Sequence, residues 1–301
     1  MLKTDFLGLK LKNPTVLASG IMGMNENSLQ RCVDAGAGMV TTKSIGPEYR
    51  TGHKNPSVIE LEHGFLNAVG LPTPGYKETN EEWKELKKFS VPVIASIYGG
   101  TINEFVKVAE FITEKKPAII ELNISCPNSD KHGMLFGTEP KIAGEVVAEV
   151  KKVTKKIPIM PKLTPNTHLL KQVAKECEAQ GANAISAINT VAGMKINIEA
   201  RKPILSFKKG GYSGPAIKPI AVKAIYDLYE ELEIPILGMG GVTTGKDAIE
   251  LIQAGATTIG IGTGVYYREV EIFEKVCNEI KQWMKQNKVK KISELIGVAH
   301  E

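Results

Sequence analysis

Cysteine is scarce in this chain. Cys32, Cys126, Cys177 and Cys277 are the only four in 301 residues, and no two form a C-x-x-C pair. That argues against a disulfide scaffold, a zinc ribbon or an iron–sulfur cluster held by this chain alone. A reduced, cytoplasmic setting is the expectation. Arginine is equally rare, with 4 Arg beside 34 Lys and 33 acids, and aromatics make up 6%. A nucleic-acid binder concentrates Arg and aromatics on one stripe. Here the lysines are spread along the chain, so the net charge of +5 reads as a solvated surface and no nucleic-acid partner is expected. No apolar run approaches the ~20 residues of a membrane helix, and Met1–Asp5 turns polar at once, unlike a secretory signal. The histidines, His53, His63, His132, His168 and His300, lack metal-ligand spacing, so no metal is expected.

What is present is an alternation. Short β-branched runs at Thr15–Leu17, Met39–Thr42, Val93–Ile97, Ile119–Asn123, Ile157–Lys162, Ala184–Ile188, Ile236–Met239 and Thr257–Ile261 read as strands. Segments of helical period lie between them: Ser28–Ala35, Glu81–Phe89, Asn103–Lys115, Pro140–Thr154, Thr167–Gln180, Ala216–Leu232 and Thr244–Gln253, with a last helix near Glu271–Asn287. Phe105, Val108, Ala109 and Ile112 form one helical stripe. The strands are nearly continuous apolar runs, as in a parallel sheet covered on both faces. Eight strands, each followed by a helix, predict an α/β fold: a (β/α)8 TIM barrel spanning 1–301 as one domain. A doubly wound sheet is the alternative. Thr4–Lys12, with Gly8 in its middle, reads as an N-terminal β-hairpin plugging the barrel bottom. Three connections after strands are long, about Lys43–Asn80, Ile124–Glu139 and Asn189–Pro215. They predict long loops at the C-terminal face, where barrel active sites form.

Gly238–Gly241 ends the seventh strand and Gly260–Gly264 the eighth. Glycine lets backbone N–H groups approach an anion, and the loops after these two strands hold phosphate in many barrels. Neither cluster fits the dinucleotide pattern G-x-G-x-x-G. Polar residues close apolar strands: Lys43 and Ser44, Asn123, Lys162, and Asn189 with Thr190. A lysine at such an end enters a water-poor pocket, where an unpaired ammonium is costly. Two of them suggest anionic or electron-rich ligand atoms, although each alone also reads as a capped strand end. Cys126, in Asn123-Ile124-Ser125-Cys126-Pro127-Asn128, lies in a loop over the mouth. It is open to a role as nucleophile or general base, whereas Cys32, Cys177 and Cys277 read as buried apolar residues.

Together the motifs resemble class 1 dihydroorotate dehydrogenases over nearly the whole chain. The resemblance rests on Ala18-Ser19-Gly20, Thr42-Lys43-Ser44, Asn67–Leu71, Asn123–Asn128, Gly210–Pro215, Gly240-Gly241 and Gly262-Thr263. It implies a barrel with FMN at its mouth, the phosphate on Gly214, Gly240, Gly241, Gly262 and Thr263. Ser19, Lys43, Ser44, Asn123, Lys162 and Ile188 would contact the rest of the cofactor. Lys43, Asn67, Ala68, Val69, Gly70, Leu71, Asn123, Asn189 and Thr190 would hold dihydroorotate, and Cys126 would take its C5 proton as the hydride leaves C6. Type A members of the family use fumarate and are homodimers. Type B members reach NAD+ through a subunit carrying FAD and an iron–sulfur cluster. Arg50–Ser57 lacks the Pro-Arg ending associated with type A, and Asn128–Gly137 resembles type B. The expectation is therefore a homodimer core in a heterotetramer, with FAD and [2Fe-2S] on the partner. One position departs from the family: an Asn common after the third strand is Ser96 here. Alternatives are the type A enzyme, a dihydropyrimidine dehydrogenase-like barrel, a tRNA-dihydrouridine synthase-like protein (disfavoured by the missing basic domain), a flavin-free phosphate-binding lyase or isomerase, and a noncatalytic subunit.

Overall fold

A computed structural model describes residues 1–80, 83, 86–125 and 133–300, with backbone alone at 80, 87 and 133–135. Eight parallel strands close into a barrel in sequence order: Thr15–Leu17, Met39–Thr41, Val93–Ile97, Ile119–Asn123, Ile159–Leu163, Ile185–Ala187, Ile236–Met239 and Thr258–Ile261. The doubly wound alternative is thereby excluded. Helices follow most strands, among them Glu26–Asp34, Ile102–Glu114, Pro140–Val153, Leu170–Ala179, Lys218–Glu231, Gly245–Gln253 and Ile272–Gln286. Their starts are chemically marked. Asn25 and Ser28 form a capping box, as do Thr244 and Asp247, and the Thr101 side chain accepts from Glu104 N–H.

Alternation along each strand divides the core in two. Val16, Met39, Ile94, Ile119, Met160, Ala184 and Leu237 face the barrel axis, while Leu17, Val40, Ile97 and Ile120 pack outward with the helices. The N-terminal hairpin, Thr4–Phe6 paired with Leu9–Leu11, inserts Phe6 and Leu11 among the axial residues and closes the bottom. Phe6 is fully buried. Replacing it with alanine should cost about 3–5 kcal/mol, read as a lowered denaturant midpoint with an unchanged slope.

Two of the long loops are more ordered than the sequence suggests. Lys43–Asn80 contributes strands Val58–Leu61 and Gly64–Asn67, and Asn189–Pro215 contributes Val191–Met194 and Lys209–Ser213. These pair with one another as an antiparallel sheet over the mouth, with Asn67 opposite Gly211. A Cβ at Gly211 would stand 2.0 Å from Thr190 Oγ1, so only glycine allows this approach. The helix expected at Glu81–Phe89 lies partly outside the described residues. Its described flanks are 3-10 turns at Glu78–Asn80 and Leu86–Lys88, with Trp83 and Leu86 buried against the barrel. A short helix, Gly264–Arg268, follows the eighth strand. Among the described residues no helix is long and apolar enough to cross a membrane.

Candidate active site

The polar strand ends and the mouth sheet enclose one cavity of about 350 Å³ at the C-terminal face. The barrel supplies Ser19 after the first strand, Lys43 and Ser44 after the second, Asn123 and Lys162 at the ends of the fourth and fifth, and Ile188, Asn189 and Thr190 after the sixth. Gly240, Gly241, Gly262 and Thr263 line it after the last two strands, and Gly214 closes that end from the mouth sheet. Asn67, Val69, Gly70 and Leu71 complete the wall. Residues as far apart in sequence as Ser19 and Thr263, 244 positions, thus share one chamber.

Ala68 does not join them. In Gly64–Asn67 and its continuation, Phe65, Asn67 and Val69 face the cavity, so the period of 2 turns Leu66 and Ala68 the other way. Both pack with Leu205 on the far side of the sheet. Ala68 serves through its backbone instead: its carbonyl lies 3.1 Å from His53 Nδ1, and the His53 ring stacks on Phe207 at 4.0 Å. Cys126 lies outside the described residues.

One pole of the cavity is built from glycine. A Cβ added at Gly262 would meet nothing nearer than 3.7 Å, because it would project into the chamber. Thr263 Oγ1 donates to Ser213 Oγ at 2.8 Å, tying the loop after the last strand to the mouth sheet. Arg268 braces the neighbouring loop, donating to the Thr243 carbonyl at 2.9 Å while pairing with Glu279 at 2.7 Å. Lys218, behind the same loop, is engaged by Glu250 at 2.7 Å and Asp247 at 2.9 Å. The Glu250 carboxylate, joined by Asp247, pushes the Lys218 ammonium above the ordinary lysine range.

The floor is polar and charged. Lys162 is only 6% exposed, on the axial face two residues beyond Met160, and its ammonium has no hydrogen-bond or ion-pair partner among the described residues. A cation buried at this cost calls for a negative or electron-rich partner in the cavity. Asn123 Nδ2 donates to Ser44 Oγ at 3.3 Å, and Asn189 is linked to Asn123 through Ser125. The three described cysteines offer no chemistry here. Burial pushes the thiols of Cys32 and Cys277 up to about 11 and that of Cys177 up to about 12.

Phe65, Gly211, Ser213, Thr243 and Tyr266 also line the cavity, and the sequence assigns none of them a site role. Phe65 was recoverable by alternation from Asn67, and Ser213 lies inside the Gly210–Pro215 motif. Tyr266 carried no signal, because its place depends on the short helix after the eighth strand.

The sequence model of the family described as Dihydroorotate dehydrogenase matches residues 1–284. A protein of Methanocaldococcus jannaschii named Dihydroorotate dehydrogenase B (NAD(+)), catalytic subunit, is 48% identical over 305 residues, covering 100% of this chain and 99% of that protein. Proteins of the same name from Pyrococcus abyssi and Methanosarcina mazei are 46% and 48% identical. The first alignment covers 99% of both chains, and the second covers 98% of this chain and 94% of the relative.

Proposed function

The chain belongs to the dihydroorotate dehydrogenase family, and from that premise we propose that it oxidises dihydroorotate to orotate in pyrimidine biosynthesis. It acts as the catalytic subunit of a type B enzyme. Residues 1–301 work as one FMN-binding barrel domain in the cytoplasm. The observation that carries this reading is the chamber itself, which joins a glycine-built pole to the buried Lys162 ammonium, unpartnered among the described residues.

That donor set fits FMN. Open space at Gly262, with Gly214, Gly240, Gly241 and Thr263 around it, suits a phosphate brought close to the backbone. Ser19, Lys43, Ser44, Asn123, Lys162 and Ile188 hold the remainder of the cofactor. When bound, FMN supplies a hydride acceptor, and a cation beside its ring favours the electron-rich reduced form. The chain's own side chains do the rest. Lys43, Asn67, Asn123, Asn189 and Thr190 orient the substrate ring and its carboxylate, while Val69, Gly70 and Leu71 bound it. Cys126 accepts the C5 proton as the hydride departs from C6.

Gly262→Val tests the cofactor pole. The first added carbon meets nothing nearer than 3.7 Å and leads the side chain into the chamber, so the flavin-free chain should keep its thermal midpoint while FMN affinity falls at least about tenfold, the loss of a well-made contact. Equilibrium dialysis against FMN reads the affinity. Unchanged affinity would place the phosphate elsewhere.

Electrons then leave through a partner subunit bearing FAD and [2Fe-2S], with two catalytic chains forming the core of a heterotetramer. An anaerobic assay of the purified chain with dihydroorotate, offering fumarate and NAD+ separately, tests this route. The lone chain should be inactive toward both and become NAD+-active with the partner added. Fumarate turnover by the lone chain would establish type A instead.

A further inference from the structure

Beneath the cavity floor lies a carboxylate that the proposed reaction does not use. Glu121 is 1% exposed, on the axial face of the fourth strand, and both its oxygens accept from serine hydroxyls. Ser96 Oγ donates to Oε1 at 2.9 Å and Ser186 Oγ to Oε2 at 3.1 Å.

Counting protons gives the network a direction. A serine hydroxyl has one proton to give. Ser96 gives its proton to Glu121, so in the 2.9 Å contact between Ser96 and Ser44 the donor must be Ser44. Ser44 then has only lone pairs left and accepts from Asn123 Nδ2 at 3.3 Å. Asn123 Oδ1 accepts from Ser125 Oγ at 3.0 Å, Ser125 accepts from Asn189 Nδ2 at 2.5 Å, and Asn189 Oδ1 accepts from Thr190 N–H at 2.8 Å. Six hydrogen bonds therefore run one way, from a backbone donor at Thr190 to the carboxylate of Glu121. Each bond polarises the next. Ser19 gives its proton to the Thr42 carbonyl at 2.8 Å and stands 3.3 Å from Ser44, leaving two hydroxyl oxygens side by side with no proton between them.

We propose that Glu121 is a positioning residue whose acceptor pair fixes the polarity of the cavity floor. Through Ser96 it makes Ser44 an acceptor, beside a Ser19 whose proton the Thr42 carbonyl takes, and it holds the Asn123 and Asn189 amides with their oxygens turned to protein donors. Each amide keeps one N–H for the ligand. The two amides then read a ring with carbonyl or carboxylate acceptors, while the serine oxygens accept from the cofactor that Ser19 and Ser44 hold. This rests on the assignment of dihydroorotate to the cavity, whose product orotate has that character.

The test compares Glu121→Leu, Ser96→Ala, their combination and Glu121→Gln, each loaded with FMN. Orotate binding is followed through the perturbation of flavin absorbance. Glu121→Leu and Ser96→Ala should each weaken orotate about tenfold, the loss of a well-made hydrogen bond. The combination should be no worse than either, because both cut one chain. Glu121→Gln should stay within about threefold, since its amide can turn Oε1 to Ser96 and its NH2 to Ser186. Wild-type affinity in Glu121→Leu and Ser96→Ala would overturn the proposal, as would equal damage from Glu121→Gln. If the leucine variant fails to fold, the Ser96→Ala and Glu121→Gln pair carries the same contrast. The side-chain amide NMR resonances of Asn123 and Asn189, recorded without substrate, decide separately. They should move in Glu121→Leu and Ser96→Ala but not in Glu121→Gln, and constancy in all three would refute the role of Glu121. Failure of the wild-type chain to bind orotate would instead strike the functional assignment, with the resonances still judging Glu121.

Discussion

Cys126→Ala retains its FMN and loses turnover by ~10²–10⁴, the usual contribution of a positioned general base. Exclusion and resemblance both lead to this cysteine. Removing a proton from C5 requires a group that can accept it near neutral pH, and a thiol serves only where its anion is accessible. Burial holds the thiols of Cys32, Cys177 and Cys277 at about 11 to 12, so none can substitute. Cys126→Ser keeps a trace of activity, because a hydroxyl is a far weaker base at the same position. Flavin content by absorbance and the anaerobic half-reaction with dihydroorotate separate cofactor loss from loss of the proton acceptor. A fully active alanine variant would remove Cys126 from the reaction.

Lys162→Met lowers turnover by ~10²–10³, the range seen when one preorganised electrostatic group is removed from a site, and it stabilises the flavin-free fold. The two signs have one cause. An ammonium that is 6% exposed and unpartnered among the described residues is costly to bury in the empty chain. The same ammonium gains its partner when an electron-rich ring fills the cavity. Methionine matches its length and removes the charge. Thermal denaturation of the flavin-free variant should show a raised midpoint, and the rate of flavin reduction by dihydroorotate should fall. A variant that is less stable yet equally active would mean that Lys162 is structural.

The barrel was legible because its strands are buried on both faces. Thr15–Leu17, Val93–Ile97, Ile119–Asn123 and Ile236–Met239 were bounded to the residue by apolar runs alone. The mouth sheet was not. Its strands are short and glycine-bearing, and Asn67 meets Gly211 across 144 positions, a pairing that no local period announces. The cavity-facing strand ends stand out as polar residues closing apolar runs. Within Asn67–Leu71, however, the direction of each side chain requires the strand itself, and Ala68 points away. Glu121 gives no signal in the sequence because it sits inside the apolar run Ile119–Asn123, where a carboxylate matters only once Ser96 and Ser186 are known to face it. Cys126 is assigned by motif and chemistry alone, since it lies outside the described residues.

Binding of FMN by this chain and hydride transfer to it from dihydroorotate are put to the test by mixing the purified, FMN-loaded chain anaerobically with dihydroorotate and recording the visible spectrum. Bleaching of the oxidised flavin with one orotate formed per flavin is the predicted result. A spectrum that stays oxidised under excess dihydroorotate, with FMN stoichiometrically bound, would contradict it.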